Sequence, residues 1–133
     1  MDAVNFFDLK DDGYEDHRGW VVNPLPEYLI GEEGFGHLHI TSVKAGSVRG
    51  NHYHAHANEV IFVFGGGYRF YYVTDGETSC RDVDESELLG ISIAAGIAHA
   101  LKNTGDDTIY VMSYYDREYD LDNPDTVRKI VTE

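Results

Sequence analysis

The chain has 133 residues and a mass of 15.0 kDa, and its 10 Lys and Arg against 24 Asp and Glu leave a formal charge of −14. That length reads as one domain against a guide of roughly 150 residues. The charge repels a phosphate backbone and excludes a general nucleic-acid binder, while leaving room for a small anion held by a few local cations. Hydrophobic residues at 42%, with ten Tyr, exclude a disordered chain.

The first twelve residues, MDAVNFFDLKDD, carry no basic start and no apolar stretch of signal length. No run approaches the ~18 apolar residues of a membrane span. The single cysteine, Cys80, offers neither an intrachain disulfide nor a CxxC zinc site and fits a reducing compartment. A soluble, cytoplasmic protein with no membrane partner is expected.

Helix signals are nearly absent along the chain. Short apolar or alternating runs recur instead: 37–43, 59–64, 68–74, 88–93 and 108–115. They are rich in β-branched and aromatic residues and are bounded by turn formers such as Gly65-Gly66-Gly67 and Asn103 to Asp107. Asp75-Gly76 is a two-residue hairpin signal. The acidic stretch Asp82 to Glu87 reads as a solvated loop, and the tail from Asp120 has room for a final short strand. The expected fold is all-β, a barrel or double sheet that manages the edges these strands leave.

The histidines fall at 17, 37, 39, 52, 54, 56 and 99. Gly46, His52, His54, Glu59 and Gly66 read G-x5-H-x-H-x4-E-x6-G, and Gly96, His99 and Asn103 read G-x2-H-x3-N. Residues two apart on a strand share a face, so His52 and His54 project together. Glu59 is at odd spacing, and a turn through residues 55–58 returns it on the neighbouring strand. Three imidazoles and a carboxylate suit a divalent transition metal with positions left open. A lone HxH pair carries little weight in a chain with seven histidines; the full set with its glycine turns carries much more. His56 is expected outside the site, His37 and His39 as lining or surface residues, and His17 in solvent.

These two patterns resemble the paired motifs of the cupin superfamily, which implies a small jelly-roll β-barrel (a double-stranded β-helix) spanning residues 1–133. The resemblance carries His52, His54, Glu59 and His99 over as ligands of Zn, Mn, Fe or Ni. Leu88 and Ala94 depart from the second motif, where glycine and proline are usual. A narrower likeness rests on Asp16-His17-Arg18-Gly19-Trp20, on GHLHITSVKAGSVRGNHYH at 36–54 and on DNPDT at 122–126. These segments look like the C-terminal cupin domain of capsular polysaccharide UDP-sugar reductases in the UDP-N-acetyl-fucosamine pathway. They are more loosely similar to dTDP-4-dehydrorhamnose 3,5-epimerases and keto-sugar isomerases.

The implied activity is epimerisation or isomerisation of a nucleotide-linked 4-keto-6-deoxy sugar in polysaccharide biosynthesis, in a homodimer. By the same likeness, Arg18 and Arg49 lie at the barrel mouth and bind the diphosphate. His52 is the proton-transfer base only if the site is metal-free, because a ligating nitrogen has no lone pair to spare. With a metal at His52 the base is unassigned. Tyr110 and Tyr114 share one strand face and Tyr115 takes the other, and parity alone does not say which face is the lumen. A metal-dependent cupin dioxygenase and a non-catalytic sugar-binding cupin are the competing readings.

Overall fold

The computed structural model describes residues 3–118, 120 and 122–133. Strands β1 (Val4–Asp8), β4 (His37–Val43), β6 (Glu59–Phe64), β9 (Leu89–Ile93) and β11 (Ile109–Tyr115) form one sheet in the order β1-β9-β6-β11-β4. Strands β5 (Val48–His54), β7 (Tyr68–Thr74), β8 (Glu77–Val83), β10 (His99–Asn103) and β12 (Thr126–Arg128) form a second, ordered β12-β5-β10-β7-β8. A ribbon of β2 (Tyr14–Asp16) and β3 (Gly19–Val21) completes the strands, and short 3-10 turns at Leu9–Asp12 and Glu27–Leu29 stand in for helices. Every pairing is antiparallel. Among the described residues no helix is long and apolar enough to cross a membrane.

The apolar runs fold as their composition dictates. Three of them, 37–43, 59–64 and 68–74, coincide with β4, β6 and β7, and the other two differ by one residue at their starts. Asp75 and Gly76 both take positive φ (51° and 77°), the mirror-image turn that matches the twist of a two-residue hairpin. Inward positions of both sheets meet in one core, including Val43, Ile61, Val63, Phe70, Ile91, Leu101 and Ile109. The result is the jelly-roll barrel of the cupins. The segment Asn5 to Leu9 lies largely in β1 and pairs with β9 of its own chain.

Strand β5 was not legible as an apolar run, because it reads VRGNHYH. Its register against β10 shifts by one residue: Arg49 faces Leu101 across the ladder, and His52 faces His99. Opposed residues share a face, so the shift puts Arg49 and His52, three residues apart, on the same lumenal side. Without this bulge Arg49 and His52 would point to opposite faces. Gly50 and Asn51 absorb it with φ of 97° and 54°. A Cβ at Gly50 would stand 2.9 Å from the His99 carbonyl oxygen and 3.0 Å from Ala100 Cα, so both conformation and space demand glycine. We expect Gly50→Ala to destabilise the protein by about 1–3 kcal/mol, read as a lower urea midpoint; an unchanged midpoint would refute this reading of the bulge.

Candidate functional site

His52 and His54 project from β5, and His99 joins them from the adjacent β10. Glu59 reaches the same point from β6, which belongs to the opposite sheet rather than pairing with β5. The chain crosses from one sheet to the other in residues 55–58, so the carboxylate closes on the imidazoles across the lumen and not along a ladder. One ligand atom from each of His52, His54, Glu59 and His99 lies within 4.8 Å of all the others. His54, Glu59 and His99 are buried and His52 is partly so.

The chemistry of this group is unbalanced without a cation. Glu59 Oε1 lies 3.1 Å from His99 Nε2 and 3.3 Å from His54 Nε2. The His54 nitrogen and the Glu59 oxygen are nonetheless buried without a hydrogen bond of acceptable direction. Nδ1 of His99 lies 2.9 Å from the carbonyl oxygen of Ile97. If it donates there, Nε2 of the neutral ring is left as a lone pair facing the carboxylate. Lone pairs converging on an enclosed point are what a divalent cation satisfies, so the donor set fits a metal.

Without a cation, these groups shift one another's proton affinity. Burial pulls the His99 pKa down, and Glu59 more than reverses it, so the net direction is up. Burial pushes the Glu59 carboxyl up, and the two imidazoles beside it bring it below the usual carboxylate range. For His52, burial first and then the neighbouring His99 and His54 push the imidazole down to about 4.

Three loops hold the ligands in place. Asn58 donates its backbone N–H (3.0 Å) and side-chain amide (2.8 Å) to the Asp116 carboxylate and accepts from the Ala95 N–H at 3.0 Å. It thereby ties the residue before Glu59 to the residue after Tyr115 and to the turn leading into His99. The Gly96 N–H donates to the His54 carbonyl at 2.7 Å. Asp125, from the DNPDT segment, accepts from the backbone N–H groups of His56 (2.9 Å) and Ala57 (2.8 Å), clamping the turn between His54 and Glu59. Nothing in composition or periodicity points to Asn58 or Asp125; DNPDT drew notice only through the resemblance.

A cavity of about 400 Å³ opens from this group and is lined by His39, Thr41, Arg49, Ser113 and Tyr115 together with His52, Glu59 and His99. Tyr115 therefore occupies the lumenal face, its ring 4.7 Å from that of His54 and 5.4 Å from that of His39, and stacked on His37 at 5.8 Å. Tyr114 is buried on the outer face, where its hydroxyl accepts from the Gly36 N–H. Burial lowers the pKa of His39, and His37 beside it adds to the effect. Arg49 sits at the cavity rim and donates from Nε to the Ser42 carbonyl at 3.2 Å. Arg18 is elsewhere: it belongs to the turn of the β2–β3 ribbon, its guanidinium held by Asp16 at 2.6 Å. His17 and His56 are exposed, as expected.

Comparison with known proteins identifies the lineage. The family model described as the polysaccharide biosynthesis C-terminal domain matches residues 14–127. The chain belongs to that family. It is 29% identical over 117 residues to the UDP-2-acetamido-2,6-beta-L-arabino-hexul-4-ose reductase of Pseudomonas aeruginosa, covering 85% of this chain and 30% of that one. The capsular polysaccharide assembling protein CapF of Staphylococcus aureus superposes with a TM-score of 0.67 at 25% identity, over 73% of this chain and 27% of that chain. This family member thus spans less than a third of the length of either relative. The 3,4-ketoisomerase QdtA of Thermoanaerobacterium thermosaccharolyticum, crystallised with TDP-4-keto-6-deoxyglucose, shares the fold with a TM-score of 0.76 at 14% identity, over 97% of this chain and 89% of that one.

Proposed function

We propose that this protein is an epimerase or isomerase of nucleotide-linked 4-keto-6-deoxy sugars, acting in polysaccharide biosynthesis with a divalent metal held by His52, His54, Glu59 and His99. The observation that carries the reading is the convergence of those four side chains, three of which (His52, Glu59 and His99) line a cavity of about 400 Å³ that also presents His39 and Tyr115. The names of the relatives support it: the Pseudomonas reductase is named for a UDP-linked hexul-4-ose, and QdtA was crystallised with a TDP-linked 4-keto sugar.

When bound, the metal supplies Lewis-acid stabilisation for the negative charge that develops on a ketone oxygen during enolisation. The protein's own groups do the rest. A ketone acidifies the protons on its neighbouring carbons, so the reaction needs a base and a proton donor near one sugar ring. His39 is outside the ligand set, faces the cavity and is kept uncharged at neutral pH, so its free nitrogen can take the proton. Tyr115, in ring contact with His39 and His54, would return one from its hydroxyl. Arg49 at the rim holds a diphosphate oxygen. Arg18 is left out of this proposal because Asp16 already holds its guanidinium.

Elemental analysis of protein purified without chelator is expected to find about one transition metal per chain, lost in His54→Ala and in Glu59→Ala. Protein that arrives metal-free and refuses added Zn, Mn, Fe or Ni would overturn the metal assignment.

In deuterated water with UDP- and dTDP-4-keto-6-deoxy sugars, deuterium is expected at a carbon next to the ketone, as read by NMR. His39→Gln should slow that exchange by about 10²–10⁴-fold with metal content retained. Absence of exchange with every sugar and metal supplied would sink the enzyme reading, and oxygen consumption by the iron form would favour a dioxygenase.

The reading also includes a homodimer. Strand β4 is a sheet edge, and Leu38, Ile40 and Tyr110 stand 43%, 64% and 42% exposed on its side of the barrel. The outward positions of β4 and β11 (Leu38, Ile40, Ser42, Tyr110, Met112 and Tyr114) carry no charge in an otherwise acidic chain. An uncharged apolar edge is a pairing surface. Light scattering at micromolar concentration should report twice 15.0 kDa, and a monomer mass would refute the dimer.

A further inference from the structure

The protein has arginines at 18, 49, 69, 81, 117 and 128. Arg18, Arg69, Arg81 and Arg117 each lie within ion-pair distance of a carboxylate, on Asp16, Asp82, Glu87 and Asp116 respectively. Among the described residues Arg49 and Arg128 have no such partner. With 24 acidic residues in the chain, carboxylate partners are plentiful, so two guanidiniums without one stand apart.

Both flank His52. Arg49 comes to its face through the bulge. Arg128 lies on the edge strand β12, directly opposite His52 in the β5–β12 ladder, with Thr126 opposite His54. Opposed residues of an antiparallel pair share a face, with Cβ atoms about 5 Å apart. The contact of Thr126 Oγ1 with His54 Nδ1 at 3.4 Å shows that this side of β12 is the lumenal one.

The strand is also held by hydrogen bonds on both sides. Asn51, the residue at the bulge, accepts from the Val131 and Thr132 N–H groups (2.8 and 3.1 Å) and donates to the Thr132 carbonyl at 2.9 Å, while its own carbonyl accepts from the Lys129 N–H. Asp125 anchors the other end of the segment to the 55–57 turn. Arg128 is thus presented on a fixed element beside the site, not on a loose tail.

We propose that Arg128 and Arg49 form a two-guanidinium clamp for the diphosphate of a nucleoside-diphosphate ligand, one from each side of His52. The inference rests on the proposed function for the class of ligand. Its physical basis is that a guanidinium not already paired to a carboxylate can offer its donor fork to phosphate oxygens. The sequence likeness pointed to Arg18 and Arg49 for this role; the clamp keeps Arg49 and adds Arg128, which faces His52 across the ladder.

The test is binding of UDP, with uridine as the phosphate-free control, by calorimetry. Arg128→Gln and Arg49→Gln should each weaken UDP by about tenfold or more and leave uridine unchanged. Arg128→Lys should recover part of the loss, since it keeps the charge without the fork. Arg69→Gln, which removes the same charge from the outer face of the second sheet, should bind UDP as the unaltered protein does. Metal content and thermal midpoint, measured on each variant, separate loss of the clamp from loss of the fold.

Unaltered UDP affinity in folded Arg128→Gln overturns the clamp, as does an unaltered protein that binds UDP no better than uridine. Binding involves no turnover, so a protein that holds UDP through Arg128 but exchanges no sugar proton would refute the enzyme reading and leave the clamp standing.

Discussion

A one-residue slip in strand β5 governs the arrangement of the site. Side chains on a strand alternate, so Arg49 and His52 could not face the same lumen on a regular ladder. The bulge at Gly50-Asn51 changes the parity in midstrand. Upstream of it Arg49 points toward the lumen; downstream His52 and His54 do. The extra residue is itself used: Asn51 turns its amide outward and holds residues 129–132 of the tail. A bulge leaves one residue unpaired in the ladder, and here its hydrogen-bonding groups secure the strand that borders the site.

The ligand group depends on both sheets. Two strands of one sheet supply the imidazoles, and a strand of the other supplies the carboxylate. Two polar atoms of this group, His54 Nε2 and Glu59 Oε1, are buried without a hydrogen-bond partner. Protonation of an imidazole or occupation by a cation would satisfy them, and Glu59 raises the His99 pKa against the effect of burial. The hydrogen bonds of Asn58, Asp116 and Asp125 keep the turns from relaxing away from this group. Rigidity of this kind is what a preorganised site requires.

The distribution of charge follows the same logic. The surface is strongly acidic, and most guanidiniums are consumed in local ion pairs of the sort that contribute little to stability in water. The lumenal face is different. Among the described residues its arginines have no carboxylate partner, and burial and His37 lower the pKa of His39. A ligand with a diphosphate and a neutral sugar matches that division, with the anion at the rim and the ring inside.

Much of this was legible in the sequence. Alternation and β-branched content gave the strands over 37–43, 59–64 and 68–74, because those patterns arise from local burial on one or two faces. The spacing of His52, His54, Glu59 and His99 picked out four side chains that the fold does bring together, since a turn and a strand period constrain neighbours along the chain. Strand β5 itself was hidden, because its sequence is polar and its bulge breaks the period on which such reading depends. Contacts between distant segments were hidden too. The choice of Tyr115 over Tyr114 for the lumen, the crossing of Glu59 from the opposite sheet, and the place of Asp125 on the 55–57 turn follow from which sheets pack face to face. The place of Arg128 opposite His52 has the same origin. The sequence determined which residues could carry the chemistry, because residue type and local period are written in it. Only the tertiary structure decided which of them face one another, because register and sheet packing join residues that local pattern cannot relate.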